Sequence, residues 1–391
     1  MRAFLLASSM LGLLALAACD DATEAVRASV SVAEAMNSDT TGYARAETIR
    51  EFTYPDDHGP HPAYKTEWWY ITGNLRATDG TDRRFGIQFT IFRSALTPDT
   101  STANRDSPWA TNQLYMAHVA LGDSAAGAFY NEERFARGAA GLAGAEADPI
   151  RVWLGPVELA GAGSLAADGT APIRLAGAAE GATYELVAEP IKPIIYQGDR
   201  GLSPKGEGLG NASYYFAQTR MATTGTITLP GGEVVPVEGL TWMDREWSTS
   251  ALADDQIGWD WFALHLDDGR DLMMYQLRVR EGSNSEPFRK SSIISAEGVK
   301  TELDPSELVM EPLEMWTSEA GAEYPIRWRL RVPSQDLDLT VSAMMPAQEF
   351  DATVQYWEGA VDVTGGATGT GFLEMTGYAD AIDASSRPVP S

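Results

Sequence analysis

The sequence predicts an all-β protein, either a sandwich or a barrel, and three observations support this. From Phe52 onward, short runs rich in aromatic and β-branched residues are separated at close intervals by Gly, Pro, Asp and Asn. The chain contains 37 Gly and 21 Pro, and no long segment repeats its apolar residues with helical periodicity. In residues 337–342 apolar and polar side chains alternate strictly, which is typical of a strand with one buried and one wet face.

Individual strands follow from the same pattern. An Asp268-Gly269 pair separates two aromatic runs and suits a tight hairpin, because both central residues of the turn can take positive φ. We therefore expect Trp261 and Tyr275 on adjacent strands. The predicted strands are Arg84–Arg93, Thr226–Leu229, Asp260–Leu266, Leu272–Arg280, Ile326–Val332 and Leu337–Ala343.

A weak internal repeat indicates two related β units. The order of aromatic strand, Asp-Gly turn and aromatic strand in residues 69–93 recurs in residues 261–278. A Gly- and Pro-rich stretch from Pro230 to Pro236 precedes sequence that is dense in Trp. We therefore predict an N-terminal domain over 49–238 and a C-terminal domain over 239–385.

The N-terminus is typical of a bacterial lipoprotein. One basic residue precedes an apolar stretch that ends in small residues, and Leu16-Ala17-Ala18-Cys19 resembles a lipobox. We predict a signal peptide over 1–18, lipidation of Cys19 and a flexible tether over 19–48. Asp20 after the lipidated residue resembles an inner-membrane retention signal, so we expect the protein on the periplasmic side of the envelope, anchored in the inner membrane.

The charge balance argues against a nucleic-acid partner. With 29 Lys and Arg against 55 Asp and Glu, the formal net charge is -26, and no basic patch offsets it. His58 and His61 could ligate a metal ion, but no third cluster of ligand residues accompanies them in the sequence. The chain contains no HExxH, P-loop, Rossmann or GxSxG motif. We predict neither a metal site nor a cofactor.

Five segments carry a resemblance to a known family. They are Tyr54–Leu75, Gly210–Arg220, Thr241–Leu266, Trp316–Leu330 and Gly369–Tyr378. In this order they resemble the carotenoid 1,2-hydratase family, which includes the hydroxyneurosporene synthases and AttH-like proteins. The resemblance implies two lipocalin-like β-barrels or half-barrels in tandem, with a cleft for an apolar isoprenoid or lipid.

The resemblance also implies addition of water to an isoprenoid double bond without a cofactor. Such chemistry needs a carboxylic acid that an apolar pocket keeps neutral, and aromatic faces that stabilise a cation. On an extended strand Trp242, Asp244 and Glu246 share one side, which makes either carboxylate a candidate acid. The alternative is that both carboxylates bind backbone amides or Arg.

The candidate site also includes residues from other strands. His265 shares a strand face with Trp259 and Trp261 and is the third candidate catalytic residue, although a core histidine with satisfied hydrogen bonds is the alternative. The same alternative applies to His118, and Glu67 and Trp69 could instead plug the closed end of a barrel. The predicted ligand-binding residues are Trp242, Trp247, Trp259, Trp261, Tyr275, Glu67, Trp69 and His118.

Two functions remain open at this point. As an enzyme, the protein would hydrate a C=C bond of an apolar molecule by acid catalysis. As a carrier, it would hold a lipid and pass it to an ABC-type permease in the membrane.

Overall fold

The computed structural model describes residues 39–379, except 99–106, 108, 250–251, 254, 284 and 351. The predicted signal peptide and Cys19 lie outside the described residues. The described part of the chain folds into two antiparallel sheets, which confirms the all-β prediction. Between them the sheets form one nearly closed barrel and one half-barrel, the lipocalin-like tandem arrangement.

The first sheet has 13 strands and runs from residue 66 to residue 248. The strands follow in the order β4-β3-β2-β1-β13-β12-β9-β8-β7-β6-β5, and two short strands, β10 and β11, also pair with β12. Their bounds are β1 Thr66–Ala77, β2 Arg84–Ala95, β3 Gln113–Asp123, β4 Ala128–Arg137, β5 Ala143–Glu146, β6 Arg151–Leu154, β7 Val157–Gly161, β8 Ile173–Ala179, β9 Ala182–Pro190, β10 Ile195–Tyr196, β11 Leu202–Pro204, β12 Ala212–Thr228 and β13 Val234–Ser248.

The second sheet has ten strands, in the order β17-β16-β15-β14-β23-β22-β20-β19-β18, with β21 paired to β22. Their bounds are β14 Gln256–Leu266, β15 Asp271–Val279, β16 Phe288–Ile294, β17 Lys300–Glu302, β18 Val309–Thr317, β19 Glu323–Val332, β20 Leu337–Ala343, β21 Glu349–Phe350, β22 Tyr356–Gly365 and β23 Gly369–Thr376. Three short 3₁₀ helices accompany the described strands, at Asp56–His58, Pro305–Glu307 and Pro333–Gln335. In the described ranges, no helix has the length and apolar character needed to span a bilayer.

The predicted hairpin at Asp268-Gly269 is confirmed. β14 and β15 flank the turn, and Trp261 pairs directly with Tyr275. Of the Asp-Gly pair, Gly269 alone has positive φ, at +90°. Positive φ at this position is the conformation that a glycine accepts without steric cost. The turn therefore fixes the register that places both aromatic side chains on one face of the second sheet.

The predicted domain boundary does not coincide with the change of sheet. Residues 238 and 239 lie in the middle of β13, which pairs with both β1 and β12. The Gly- and Pro-rich stretch before it forms the turn of the β12–β13 hairpin, where Gly231 and Gly232 have φ of +98° and +90°. The chain passes to the second sheet only after Ser248.

The last residues of the predicted tether pack against the first sheet. Ala46 is buried, and the Tyr214 hydroxyl donates a hydrogen bond of 2.8 Å to the carbonyl of Thr48. The Thr249 hydroxyl donates to the carbonyl of Ala44 in the same way. Residues 44–48 therefore pack on the first sheet, because their backbone groups find partners there, and any tether is shorter than 19–48.

The two sheets face one another through their central strands. Asn74 of β1 donates to the carbonyl of Gly371 of β23 at 2.7 Å, and Tyr70 of β1 donates to Glu358 of β22 at 2.6 Å. Gly86 of β2 lies so close to β22 that an added Cβ would lie 2.7 Å from the Cβ of Ala360. One side of β1 and β13 thus packs the apolar interior of the first sheet, and the other side faces the second sheet.

Candidate active site

A cavity of about 280 Å³ lies between the two sheets. Its walls combine the outward faces of β1, β2, β3, β12 and β13 with the facing side of β14, β15, β22 and β23. The lining residues are Thr66, Trp68, Tyr70, Phe92, Ser94, Met116, His118, Lys205, Tyr215, Asp244, Glu246, Ser248, Leu252, Trp259, Trp261, Tyr275, Leu277, Val354, Tyr356, Glu374 and Thr376. The lining is therefore largely apolar and aromatic, with a few buried acids.

Asp244 is the buried acid on the first-sheet wall. It is 3% exposed, and its Oδ1 accepts a hydrogen bond of 2.8 Å from the Trp242 indole N–H. Burial raises the pKa of Asp244 to about 8, although hydrogen bonds from Trp242 and Tyr215 oppose the shift. Near neutral pH this side chain is mainly a carboxylic acid, which can donate a proton into the cavity.

Glu246, two residues along the same face, has a different partner. The Lys205 Nζ lies 2.7 Å from its Oε1, and the ammonium also lies 5.2 Å from the ring centroids of Tyr215 and Tyr275. Burial opposes the charge of Lys205, but the Glu246 carboxylate together with Tyr275 and Asp244 raises the pKa of the ammonium. Glu246 is thus half of an ion pair, whereas Asp244 forms no ion pair with any of the described residues.

The second-sheet wall supplies acids that the sequence analysis did not identify. Glu374 of β23 lines the cavity, and burial raises its pKa to about 7. Glu358, its cross-strand neighbour on β22, is 1% exposed, and burial together with the Glu374 charge raises its pKa well above the usual range. Both lie more than a hundred residues from Asp244 and in the other sheet, so the packing of the two sheets brings Glu374 to the same cavity.

The aromatic side chains predicted from β14 and β15 do line the cavity. Trp259, Trp261 and Tyr275 all contribute to its wall. Trp242 lies behind this layer, edge-to-face with Trp261 at a centroid distance of 6.3 Å. It therefore supports the wall and orients Asp244 rather than lining the cavity itself.

His265 lies deeper still. Its ring is 5.9 Å from that of Trp242, and its Nε2 lies 2.7 Å from the carbonyl oxygen of Thr219. It is 4% exposed and does not line the cavity. The prediction that His265 shares a strand face with Trp259 and Trp261 follows from strand alternation. His265 nevertheless lies beyond the end of the cavity.

Glu67, Trp69 and Trp247 lie on the opposite side of their strands from the cavity. Glu67 is paired with Arg93 and Arg245, and the Arg245 guanidinium lies 3.9 Å from the Trp69 ring centroid. Trp247 stacks on the His61 ring at 3.7 Å. These side chains face the interior of the first unit, because odd-numbered residues of β1 and β13 point inward there.

His118 lines the cavity through contacts that cross between the sheets. Its Nδ1 lies 2.8 Å from the Tyr356 hydroxyl on β22, and its Nε2 lies 3.0 Å from Glu133 Oε1 on β4. Tyr356 and Glu133 carried no sequence signal of their own. The cross-strand register of Glu133 opposite His118 would have identified the pair only once β3 and β4 had been aligned.

Taken together, fold and site define a class: a tandem lipocalin-like protein with buried acids in an aromatic cavity between its two β units. Within that class the chain belongs to the AttH-like family, whose model matches residues 45–378. It is similar to a solved AttH structure from Nitrosomonas europaea, with 32% identity and a TM-score of 0.72 over 86% of this chain and 99% of that one.

Two fungal enzymes are more distant relatives. Kievitone hydratase from Fusarium solani is 25% identical over 52% of this chain and 57% of its own length. Dehydratase asqC from Emericella nidulans is 21% identical over 41% of this chain and 46% of its own. This chain thus spans about half the length of the curated relatives it matches.

A solved kievitone hydratase from Nectria haematococca shares the fold, with 17% identity and a TM-score of 0.63 over 87% of this chain and 98% of that one. The chain is therefore a hydratase-related lipocalin-like protein.

Proposed function

We propose that the protein adds water to, or removes it from, a carbon–carbon double bond of an apolar, isoprenoid-like molecule held in the cavity. The observation that carries the proposal is Asp244, an acid kept neutral by burial in an aromatic wall. The names of both fungal relatives refer to hydration or dehydration, which supports the same class of reaction.

In the hydration direction Asp244 donates its proton to one alkene carbon. The faces of Trp259 and Trp261 stabilise the cation left on the other carbon, since the ring quadrupole attracts positive charge. Water then adds to that carbon and gives up a proton, so that alkene and water become an alcohol. The acid must be protonated to act, so we expect the hydration rate to fall as the pH rises through about 8.

The size of the cavity restricts the substrate. About 280 Å³ lies just below the usual range for ligand sites, roughly 300–1,000 Å³. A compact molecule or one end of a longer chain fits this space. We propose that a long isoprenoid would insert only the end that carries the reacting double bond.

The test is product analysis with the purified full chain. Kievitone, squalene and an acyclic carotenoid serve as probes in water labelled with heavy oxygen, and mass spectrometry detects the labelled alcohol. Asp244→Asn keeps the size and hydrogen-bonding capacity of the side chain but removes the proton donor. We expect it to abolish turnover and to retain binding, measured by quenching of Trp emission. Loss of binding together with turnover would argue against an acid role.

The second candidate function is a carrier that works with an ABC-type permease. The lipoprotein-like N-terminus favours it, because a carrier tethered to a membrane is well placed to pass on a lipid. Wild-type protein that forms no labelled alcohol from any probe, yet co-purifies with a lipid identified by mass spectrometry, would support this candidate instead.

We also propose that a lipid on Cys19 anchors the protein on the periplasmic face of the inner membrane. The support is the lipobox-like sequence and Asp20 after it. Cys19→Ala should release the protein from the membrane fraction after osmotic lysis. A variant that stays in the membrane pellet as firmly as wild type would contradict the anchor.

A further inference from the structure

Three side chains form a continuous hydrogen-bonded chain from the protein surface to the cavity. Glu133 Oε1 lies 3.0 Å from His118 Nε2, and His118 Nδ1 lies 2.8 Å from the Tyr356 hydroxyl. The Glu133 side chain is 16% exposed and that of His118 only 2%. His118 and Tyr356 both line the cavity. This series of hydrogen-bonded side chains therefore begins near solvent and ends at the site proposed for the reaction.

The directions of these hydrogen bonds follow from the groups available. Gln88 Nε2 donates to the Tyr356 oxygen at 2.8 Å, so the Tyr356 proton can be donated onward. Glu358 is also within reach of this hydroxyl, but burial keeps that carboxyl neutral, which makes the His118 imidazole the stronger acceptor. Hydrogen bonds from His118 and Thr353 keep the pKa of Glu133 below its usual range although burial opposes them, so Glu133 is an ionised acceptor. His118 must then donate from Nε2 and accept from Tyr356 at Nδ1.

This arrangement resembles a catalytic triad. A carboxylate orients an imidazole, and the imidazole can take a proton from a hydroxyl. The imidazole is also held mechanically, because the Phe350 ring stacks on it at a centroid distance of 4.6 Å and the Phe92 ring lies edge-on at 5.6 Å. Glu133 and His118 come from the first sheet and Tyr356 from the second. The chain of groups is complete only where the two units meet.

We propose that Glu133, His118 and Tyr356 form a proton relay that serves as the general base of the cavity. The proposal rests on the proposed function. As water adds to the cation, its proton passes to the Tyr356 oxygen while the Tyr356 proton moves to His118 Nδ1. The imidazolium pairs with Glu133 until its Nδ1 proton passes back through the Tyr356 hydroxyl to water in the cavity. That water returns a proton to Asp244, so the Nε2–H tautomer of His118 and the neutral acid are both restored. In dehydration the same relay protonates the departing hydroxyl and Asp244 takes the carbon-bound proton.

Tyr356 and His118 are catalytic residues in this scheme, and Glu133 is a positioning residue. We expect Tyr356→Phe and His118→Asn to lower kcat by roughly 100-fold with little change in KM, and the double variant to lose no more than either single one. Burial lowers the pKa of His118, so the base should fail only at acidic pH. Glu133→Gln removes the charge that stabilises the imidazolium and should move the acidic limb of the pH–rate profile to lower pH.

Tyr378→Phe is the matched control. It removes a tyrosine hydroxyl of the same kind, but one that donates to the buried acid Asp260 at 2.9 Å and lies outside the cavity. Its kcat and pH profile should equal those of wild type. Full activity and an unchanged acidic limb in Tyr356→Phe and His118→Asn would overturn the relay while leaving the proposed function intact.

A second measurement needs no substrate. The chain has four histidines, so nitrogen-15 NMR can assign His118 by comparison with His118→Asn. We expect an Nε2–H tautomer at neutral pH, and an Nδ1 resonance that shifts in Tyr356→Phe. A proton on Nδ1 would overturn the relay. If wild type hydrates no probe, the proposed function fails, and this tautomer decides separately whether the hydrogen-bonded chain is as described.

Discussion

The paired strands β1 and β13 have a different environment on each side, and the buried acids on the two sides differ in charge. Glu67, opposite Trp247 on the inward side, is fully buried between Arg93 and Arg245. Asp244, on the outward side, is equally buried but meets the indole of Trp242 and the hydroxyl of Tyr215. Burial alone would raise the pKa of Glu67 too, but the two guanidinium groups outweigh it and hold that pKa well below its usual range.

The comparison shows that partner charge, rather than burial, decides whether a carboxyl is a structural ion or a usable acid. A buried ion pair tolerates poorly the loss of one member, because the other charge is left without compensation. A neutral buried acid can be replaced by an amide of the same shape at little cost. Substituting the acids on the two sides should therefore change the free energy of unfolding by different amounts.

The largest expected effect is on the inward side. Glu67→Gln should lower the free energy of unfolding by about 3–5 kcal/mol, because it leaves two buried guanidinium groups without a counter-charge. Urea unfolding followed by Trp fluorescence measures the loss. Asp244→Asn is the matched control and should not lower the free energy of unfolding at neutral pH, because its amide replaces an acid that is already neutral in the folded protein. Similar losses in both variants would contradict the distinction between the two sides.

Two Trp substitutions, one on the cavity side and one on the inward side, test the same difference between the two sides. Trp261→Ala removes part of the cavity wall and should weaken binding of an apolar probe by about 2 kcal/mol or more, measured by quenching of the remaining Trp emission. Trp69→Ala, on the Arg245 side, should destabilise the fold and leave the affinity of the folded fraction unchanged. Unchanged affinity in Trp261→Ala would place the ligand elsewhere.

The effect that is smallest per pH unit is a change in the slope of stability against pH. A carboxyl with a pKa near 4 when unfolded and about 8 when folded binds more protons in the folded state between those values. Its contribution to stability is therefore fully present below about pH 4 and is lost as the pH rises to about 8, by up to about 1.4 kcal/mol per pH unit. Asp244→Asn should flatten the pH dependence of the unfolding free energy by that amount. An identical slope in the variant would mean that Asp244 is ionised in the folded protein.

The sequence contained enough to predict the outward face of β13 but not which face of β1 looks into the cavity. Strict alternation placed Trp242, Asp244 and Glu246 together, and the Asp268-Gly269 turn fixed the register of Trp261 against Tyr275. Alternation also grouped Glu67 with Trp69, but only the packing of the two sheets showed that this pair points inward.

The second-sheet acids could not be found in the same way. Glu374 reaches the cavity through the pairing of β14 with β23, between segments more than a hundred residues apart. Tyr356 meets His118 only through contact between sheets. Such long-range pairings depend on the whole topology, whereas a local pattern reports only which residues share a side of their own strand.

The chain crosses from the first sheet to the second only once among the described residues, after Ser248, and the cavity draws its walls from both sides of that crossing. A backbone cut between residues 248 and 256 would leave every strand with its own sheet partners. It would divide the cavity, separating Asp244 from Glu374 and His118 from Tyr356. A molecule that fills the cavity would contact both fragments and so would stabilise their reassembly. Recovery of the two-fragment complex would then report that the cavity is occupied.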